Sequence, residues 1–510
     1  MEDRFNLIDE EWIPISLHGK VSLKQIFEDS SLKSIGGTVV QKLAVLKLLL
    51  AIAQRASTPE DDSKWREMEA EGLGRKCIKY LEDNRDLFFL YGEKPFLQFP
   101  ALNQEFEKGK TKFRLKEREI GTNYLPDLPS DNNSIINSYQ INKPLSDADK
   151  ALFIVSIMNY SLGGKRVDKD SPIFTSGYST KKSSAKPGPS LGNYIGYLQT
   201  CFEGENALDT VWLNLLSKEN LDDFPQYKDK PIIPPWESMP KGEDDQTARQ
   251  IKDGLMGPLC GMCRFVYLKG DGIIYTDGIQ YPSHKEGWRE PFMAYTNDTQ
   301  KIAWVDPSKQ PWRSMTALLE LSFVGTSHSF NCPQISELFR RNRKARDIIG
   351  IFSGGLRVRA TSGDQSVKQN DDFVEDSIFL TTSILNEEWF LFLKREMQAL
   401  DGIATVLYSC IRQYWTEMKQ SNGNQLAEAG TEQFWEECDK HKQSLFNKVR
   451  QGDELLSIRR IFSEIAARTY NNFCPKETAS QICNWAKTRP SFSKYLSLKE
   501  EEITNAKQKK

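Results

Sequence analysis

The densest candidate chemistry in the 510 residues lies between Arg340 and Gln369. Five cationic side chains fall within seven residues (Arg340, Arg341, Arg343, Lys344 and Arg346). An apolar run follows, then the pair Gly354-Gly355, the doublet Arg357 and Arg359, and a polar loop tipped by Gly363-Asp364-Gln365. Clustered guanidiniums suit phosphate, because each presents a planar fork of donors that can grip two oxygens. A glycine pair lets backbone approach a large ligand closely. The arginine run reads equally as a solvated helix face, so this cluster alone does not decide between a phosphate grip and plain solubility.

Other chemistries find little support. Four histidines (His18, His284, His328 and His441) are too few and too scattered for most hydrolase or nuclease sites. The chain carries no HExxH, no GxSxG and no GxxxxGK[ST] motif. Cys260 and Cys263 form its one two-cysteine motif. A structural zinc site takes four ligands, so the pair is only a weak zinc candidate, and no metal or other cofactor is expected. A nuclease built from carboxylates scattered along the chain stays open as an alternative. Three further polar loops carry glycine or cations: 131–140, 161–169 with Gly163, Gly164 and Lys165, and 267–272 with Lys269. Bare backbone at a glycine pair, or a single lysine, is slim enough for a DNA minor groove. A glutamine-tipped loop could insert between base pairs and hold a duplex open. The chain reads as a binder rather than an enzyme.

The elements that hold these loops follow from pattern and punctuation. Hydrophobic content of 39% supports a proper interior, and the length calls for more than one domain. A net charge of −2 excludes a protein coated in basic charge, so nucleic acid would be met by local patches, with partner proteins supplying the rest. The acidic start MEDRFNLIDEEWIP is no signal peptide, and the apolar run from Leu43 to Ala53, broken by Lys47, is too short to span a bilayer. Nine scattered cysteines read as reduced thiols, which points to the cytoplasm. Residues 6–27 predict a hairpin with Gly19 in its turn, and Val39 to Arg55 a buried helix. Residues 104–118 read as a charged surface loop. Ser146 and Asp147 cap a helix that ends at Gly163-Gly164. Two strands are expected around Lys269-Gly270-Asp271-Gly272. Beyond residue 384 three long amphipathic helices and a shorter fourth give a bundle signature. The expected fold is α+β: a large mixed domain over 1–380, then an all-α four-helix bundle over 381–510.

Several blocks, taken in order, match a known pattern: NLIDEEWIPI at 6–15, GEKPFLQ at 92–98, the helix ending in LGGKR, the GIQYPSH strand end and the GGLR region. Through them the chain resembles the large subunit of the type I-E CRISPR surveillance complex Cascade, the family also called CasA. The likeness covers essentially the whole chain and is strong in short blocks. It implies a non-catalytic subunit that recognises the protospacer-adjacent motif in double-stranded DNA, starts strand separation for guide-RNA pairing and helps recruit a helicase-nuclease. In RNA-guided recognition generally, protein reads the short motif and base pairing reads the rest. The implied partners are the DNA target, guide RNA through the complex, the other Cascade subunits and the helicase-nuclease, with no membrane.

The resemblance also implies roles for individual residues. Gly163 and Gly164, with Lys165, match the glycine loop at the minor groove, and Lys269 the lysine finger. Gln365, between Asp364 and Ser366, matches the strand-separating wedge. Ile135, Ile136 and Asn137 match a loop that touches the complex near the guide's 5′ end. Arg340, Arg341, Arg343, Lys344, Arg357 and Arg359 are left as phosphate contacts. The alternative from another class is an assembly subunit whose loops bind protein rather than DNA.

Overall fold

The computed structural model describes residues 3–108, 110–120, 145–161, 173–175, 196–224, 226–282, 284–296, 301–324, 330–361, 364–366, 373–450 and 452–497. They form two units, one of Met1–Pro307 with Phe330–Ser377, the other of Ser308–Ser329 with Ile378–Lys510.

The first unit is built on the Val39–Ala56 helix. Thr38 and Gln41 close a capping box at its start: the Gln41 amide donates to Thr38 Oγ1 at 3.3 Å, and the Thr38 amide to Gln41 Oε1 at 3.0 Å. Beyond the cap the helix is apolar almost all round and correspondingly buried. Lys47, which interrupts the apolar run, is also buried. Its ammonium meets Glu290 Oε2 at 2.7 Å, and Glu290 accepts a second hydrogen bond from the Tyr197 hydroxyl. The rings of Tyr160 and Phe292 lie 5.2 and 5.5 Å from the same ammonium. A charge this deep is tolerated because it is fully paired.

Two three-stranded sheets complete this unit. In one, Ile348–Leu356 lies between Gln199–Glu203 and Phe373–Thr381, with Ile351 opposite Phe202 and Gly354 opposite Gln199. In the other, Gly272–Asp277 lies between Arg264–Lys269 and the short strand Arg118–Glu119. The N-terminal hairpin is shorter than expected. Ile13–Ile15 pairs with Gly19–Val21 across a turn at residues 16–18, so Gly19 (φ +108°) opens the second strand opposite Ile15 rather than sitting in the turn, whereas Arg4–Asn6 pairs with Phe89–Tyr91. The segment read as a charged loop also folds. Glu105–Lys108 pairs with Thr111–Arg114, the Phe106 and Phe113 rings meet across the pair with centroids 5.8 Å apart, and Lys112 reaches Glu105 at 3.2 Å. Two aromatic residues opposite one another, with charges paired across the strands, suffice to hold it.

The second unit is helical. Glu387–Glu417, Gly423–Asp439, Gly452–Phe473 and Ala479–Thr488 form a bundle, joined by the Met315–Phe323 helix from earlier in the chain. Trp389, Leu393, Leu400, Leu407, Ile411 and Tyr414 line the buried face of the first of these at helical spacing. Arg459 crosses between helices to pair with Glu396, its Nε donating to Oε2 at 2.9 Å. Gly430 permits a close crossing, since a Cβ there would sit 2.6 Å from Ile411 Cδ1.

Candidate nucleic-acid interface

The most fully positioned of the expected binding residues is Lys269. It ends the strand Arg264–Lys269, and its partner across the turn is Gly272. The two residues between, Gly270 and Asp271, make a two-residue hairpin turn, a connection that favours φ above zero; Gly270 has φ +58°. Lys269 is half exposed and lies 3.4 Å from Glu117 Oε2, itself half exposed. An exposed pair of this kind contributes at most about 1 kcal/mol, so a nucleic-acid group can displace Glu117.

What fixes the turn is a buried lysine. Lys150, in the Asp147–Asn159 helix, donates to the Gly270 carbonyl at 3.1 Å and to Asp271 Oδ1 at 3.0 Å. The helix starts at a capping box on Ser146, and from Lys150 to Asn159 it is buried throughout. Its far end grips the other end of the hairpin. Asn159 Nδ2 donates to the Leu259 carbonyl and its Oδ1 accepts from the Gly261 amide, both at 2.8 Å. Ser161 Oγ lies 2.8 Å from Arg264 Nε, which donates to it, and 2.7 Å from the Tyr275 hydroxyl. Arg264 also pairs with Asp277 in a site closed to solvent. One helix therefore clamps both ends of the hairpin that carries Lys269. Gly163, Gly164 and Lys165 follow Ser161 in the chain after one intervening residue but lie outside the described residues, as do Ile135, Ile136 and Asn137.

The second expected element differs from its sequence reading. Gly354 and Gly355 lie within the buried strand Ile348–Leu356, not in a loop. A Cβ on Gly354 would meet Val39 Cγ2 at 2.8 Å, and one on Gly355 would meet Val305 Cγ2 at 2.7 Å and the Tyr197 carbonyl oxygen at 2.9 Å. The glycine pair thus serves close packing inside the protein rather than approach to a ligand. Beyond it, Arg359–Thr361 pairs with Asp364–Ser366, with Thr361 opposite Asp364 and Ala360 opposite Gln365. Gln365 is therefore in the returning strand of a hairpin, one residue behind the position that closes the turn. Paired strands thus stand on both sides of residues 362–363 where the sequence reading has an irregular loop.

The arginine run divides into two sets. Arg341 is buried and cannot meet a phosphate, which corrects its sequence reading. It donates to Asn220 Oδ1 at 3.0 Å, to Asp62 Oδ1 at 3.3 Å and to the Leu215 carbonyl. Burial pushes its guanidinium down to about 10, against the opposing pull of Asp62. The guanidinium also lies over the Trp65 ring at 4.2 Å. Trp65 stacks on Trp212 at 3.9 Å, and Arg346 covers Trp212 at 4.2 Å while bonding Asp209. Two of the five cations thus build a core stack with the two indoles. Arg340 and Lys344 are exposed on the Phe339–Ala345 helix, and Arg343 and Arg357 are half-buried.

Cys260 and Cys263 are both buried, and burial pushes the Cys260 thiol up, away from the thiolate a zinc ligand requires. Among the described residues no group of three or more His, Cys, Asp or Glu is placed to hold a metal ion. Also among them, no helix is long and apolar enough to cross a membrane. Sequence reasoning missed Lys150, Ser161, Arg264 and Glu117. Lys150 left a signal: a lysine at the entrance to the run ALFIVSIM, where helical periodicity places an apolar residue.

Comparison with known proteins adds the rest. The family model described as CRISPR-associated protein Cse1 matches residues 6–472. A curated CasA/Cse1 protein of Thermus thermophilus is 25% identical over an alignment of 346 residues that covers 62% of this chain and 60% of that relative. The crystal structure of Thermobifida fusca Cse1 superposes with a TM-score of 0.72 at 18% identity, covering 98% of each chain. A chain of a solved CRISPR RNA-guided surveillance complex superposes with a TM-score of 0.64 at 14% identity, covering 97% of this chain and all of that one.

Proposed function

The chain belongs to the family of CRISPR-associated protein Cse1, and from that premise we propose that it is the non-catalytic DNA-recognition subunit of an RNA-guided CRISPR interference complex. In this reading it recognises the protospacer-adjacent motif in double-stranded DNA, starts strand separation so that guide RNA can pair, and helps recruit the helicase-nuclease. The other subunits of the complex hold the guide RNA, and the assembly works in the cytoplasm. A net charge of −2 suits this division of labour.

The observation that carries the reading is the clamped hairpin tip at Lys269. A lysine on a loose loop offers charge without position. Here the turn that follows Lys269 is tied down by the buried Lys150, so the ammonium is offered from a rigid support. We assign the lysine finger to Lys269, and the backbone half of minor-groove reading to Gly163 and Gly164 with Lys165, in the segment that begins at the anchored Ser161. We assign the wedge to Gln365 with Asp364 and Ser366, on the strand paired with Arg359–Thr361, where it would part base pairs at the expected cost in unstacking. Arg340, Arg343, Lys344, Arg357 and Arg359 stay as phosphate contacts, and Arg341 leaves that set. Ile135, Ile136 and Asn137 are assigned to the complex-contact loop.

The test is target binding by the assembled complex. Lys269→Ala and Gln365→Ala should each weaken binding to duplex target by about 5- to 150-fold, the span expected for loss of one specific contact, with assembly unaffected. Normal duplex opening in both single variants and in the double variant would refute the assignment. Entry into the complex with no effect on its DNA affinity would favour the assembly role. Divalent-dependent cleavage of DNA by the isolated chain would favour the nuclease.

A further inference from the structure

Of the eleven tryptophans, Trp304 is the most exposed, with 49% of its surface open. Its position is held with some care. The Leu198 amide donates to the Ala303 carbonyl at 2.7 Å, the Val305 amide to the Gly196 carbonyl at 2.9 Å, and the Ala303 amide to the Ala294 carbonyl at 3.0 Å. Trp304 is thus bridged to Tyr197, and its neighbour Val305 is buried with Leu198 and Val374. The His284 ring meets the indole at 77° with centroids 5.5 Å apart. A large apolar ring held by an isolated β-bridge to Tyr197 and by the backbone bonds of its two chain neighbours, yet left open, calls for an occupant.

Its surroundings indicate which one. A Cβ on Gly196 would lie 3.6 Å from Cε3 and Cζ3 of the indole and 3.6 Å from the Val358 amide nitrogen. The indole edge and the segment entering the Arg359–Ser366 hairpin therefore flank the same bare glycine. That segment carries Arg357 and Arg359 on either side of Val358. The chain neighbours Lys301 and Asp306 are exposed charges, a setting that suits an apolar protein partner poorly. A flat aromatic face beside cationic chain suits a nucleotide, whose base offers a π face and whose phosphate offers charge.

We propose that Trp304 is a stacking platform for one unpaired DNA base at the point where the Arg359–Ser366 hairpin opens the duplex. This inference rests on the strand-separating role proposed above. The wedge alone parts the pair; an indole beside it gives the released base a surface to stack on, which offsets part of the lost base stacking.

The experiment compares wild type, Trp304→Leu and Trp304→Phe in the assembled complex, on target duplexes that the wild-type complex binds. The duplexes are intact or carry a single abasic site, moved base by base along both strands next to the motif. On intact DNA Trp304→Leu should bind about tenfold more weakly, with Trp304→Phe recovering most of the loss. At one abasic position the difference between wild type and Trp304→Leu should vanish. Equal binding by wild type and Trp304→Leu, or a loss identical on intact and on every abasic duplex, overturns the inference while leaving motif recognition standing. A defect confined to subunit assembly would mark the indole as a protein contact and overturn it too. Failure of the wild-type complex to bind any duplex removes the underlying function along with it.

Discussion

Lys150→Met removes the ammonium that ties down the hairpin turn and leaves a side chain of similar length in the helix. Lys150 is 5% exposed, so it touches no nucleic acid, and anything it does to binding passes through the turn. Its bond to the Gly270 carbonyl is charge-assisted, a class that contributes about 1.5–3 kcal/mol. The bond to Asp271, whose side chain is 81% exposed, adds at most about 1 kcal/mol. Burying the ammonium costs something in return, so the net loss on substitution is about 2 kcal/mol, felt locally. At 1.4 kcal/mol per factor of ten that raises local opening about 30-fold. Amide hydrogen exchange over Leu268–Ile273 should speed up by that order, while the buried helix Val39–Ala56 keeps its protection. DNA binding should weaken as well. In a Lys269→Ala background, however, Lys150→Met should cost nothing further, because the group it positions is gone. Unchanged exchange at the turn, or additive losses in the double variant, would show that Lys150 does not position Lys269.

Three further outcomes follow from the interior. Lys47→Met leaves Glu290 buried without its countercharge and should cost about 3–5 kcal/mol, seen as a lower urea midpoint, with Lys47→Met/Glu290→Gln recovering a large part. Gly430→Ala places a methyl 2.6 Å from Ile411 Cδ1 and 3.3 Å from Phe473 Cδ2; an overpacking cost of about 1–3 kcal/mol, offset in part by about 1 kcal/mol of helix propensity, should lower the melting temperature of the helical unit, and a raised melting temperature would show that the Ile411 side chain turns away freely. Cys483 is the exposed thiol, whereas burial pushes the thiols of Cys77, Cys201 and Cys260 up and away from the reactive thiolate. Mass-resolved maleimide labelling at neutral pH should therefore modify Cys483 well before those three, and early modification of any of them would contradict the buried setting.

Much of the scaffold could be read in the chain because its signals are local. The helix over Val39–Ala56 announces itself by a threonine cap and an unbroken apolar run, and the Asp147–Asn159 helix does so by Ser146 and its own run. Turn glycines between two β-prone apolar runs mark the Lys269 hairpin, and helical period marks the bundle. What could not be read depends on partners far away in sequence. The two strands of 105–114 carry one aromatic each, too little for a strand pattern until they face each other. The packing of Gly354 and Gly355 depends on Val39 and Tyr197, and no spacing rule connects those residues. Lys150 and Gly270 are 120 residues apart, so the clamp that gives Lys269 its fixed position leaves no mark beyond one lysine in an apolar helix.

The arginine run shows how charge in a sequence differs from charge on a surface. Arg341 and Arg346 are committed to the Trp65–Trp212 stack, and Lys47, Lys150, Arg264 and Arg459 are each held by an internal partner. Cations placed inward in this way order the elements around them and add nothing to phosphate attraction. These six of the 68 Lys and Arg side chains are withdrawn from non-specific grip on DNA, which scales with the phosphates neutralised. In the proposed role, selectivity would rest on a few groups: the ammonium on a clamped turn, glycine backbone and an amide in a paired strand. Weak general attraction is an advantage for a subunit that must pass over a great excess of wrong sequence, because each wrong site releases it quickly. The Lys150 clamp and the near-neutral net charge are in that sense parts of one design: rigid placement does the work that abundant charge does in a less selective binder.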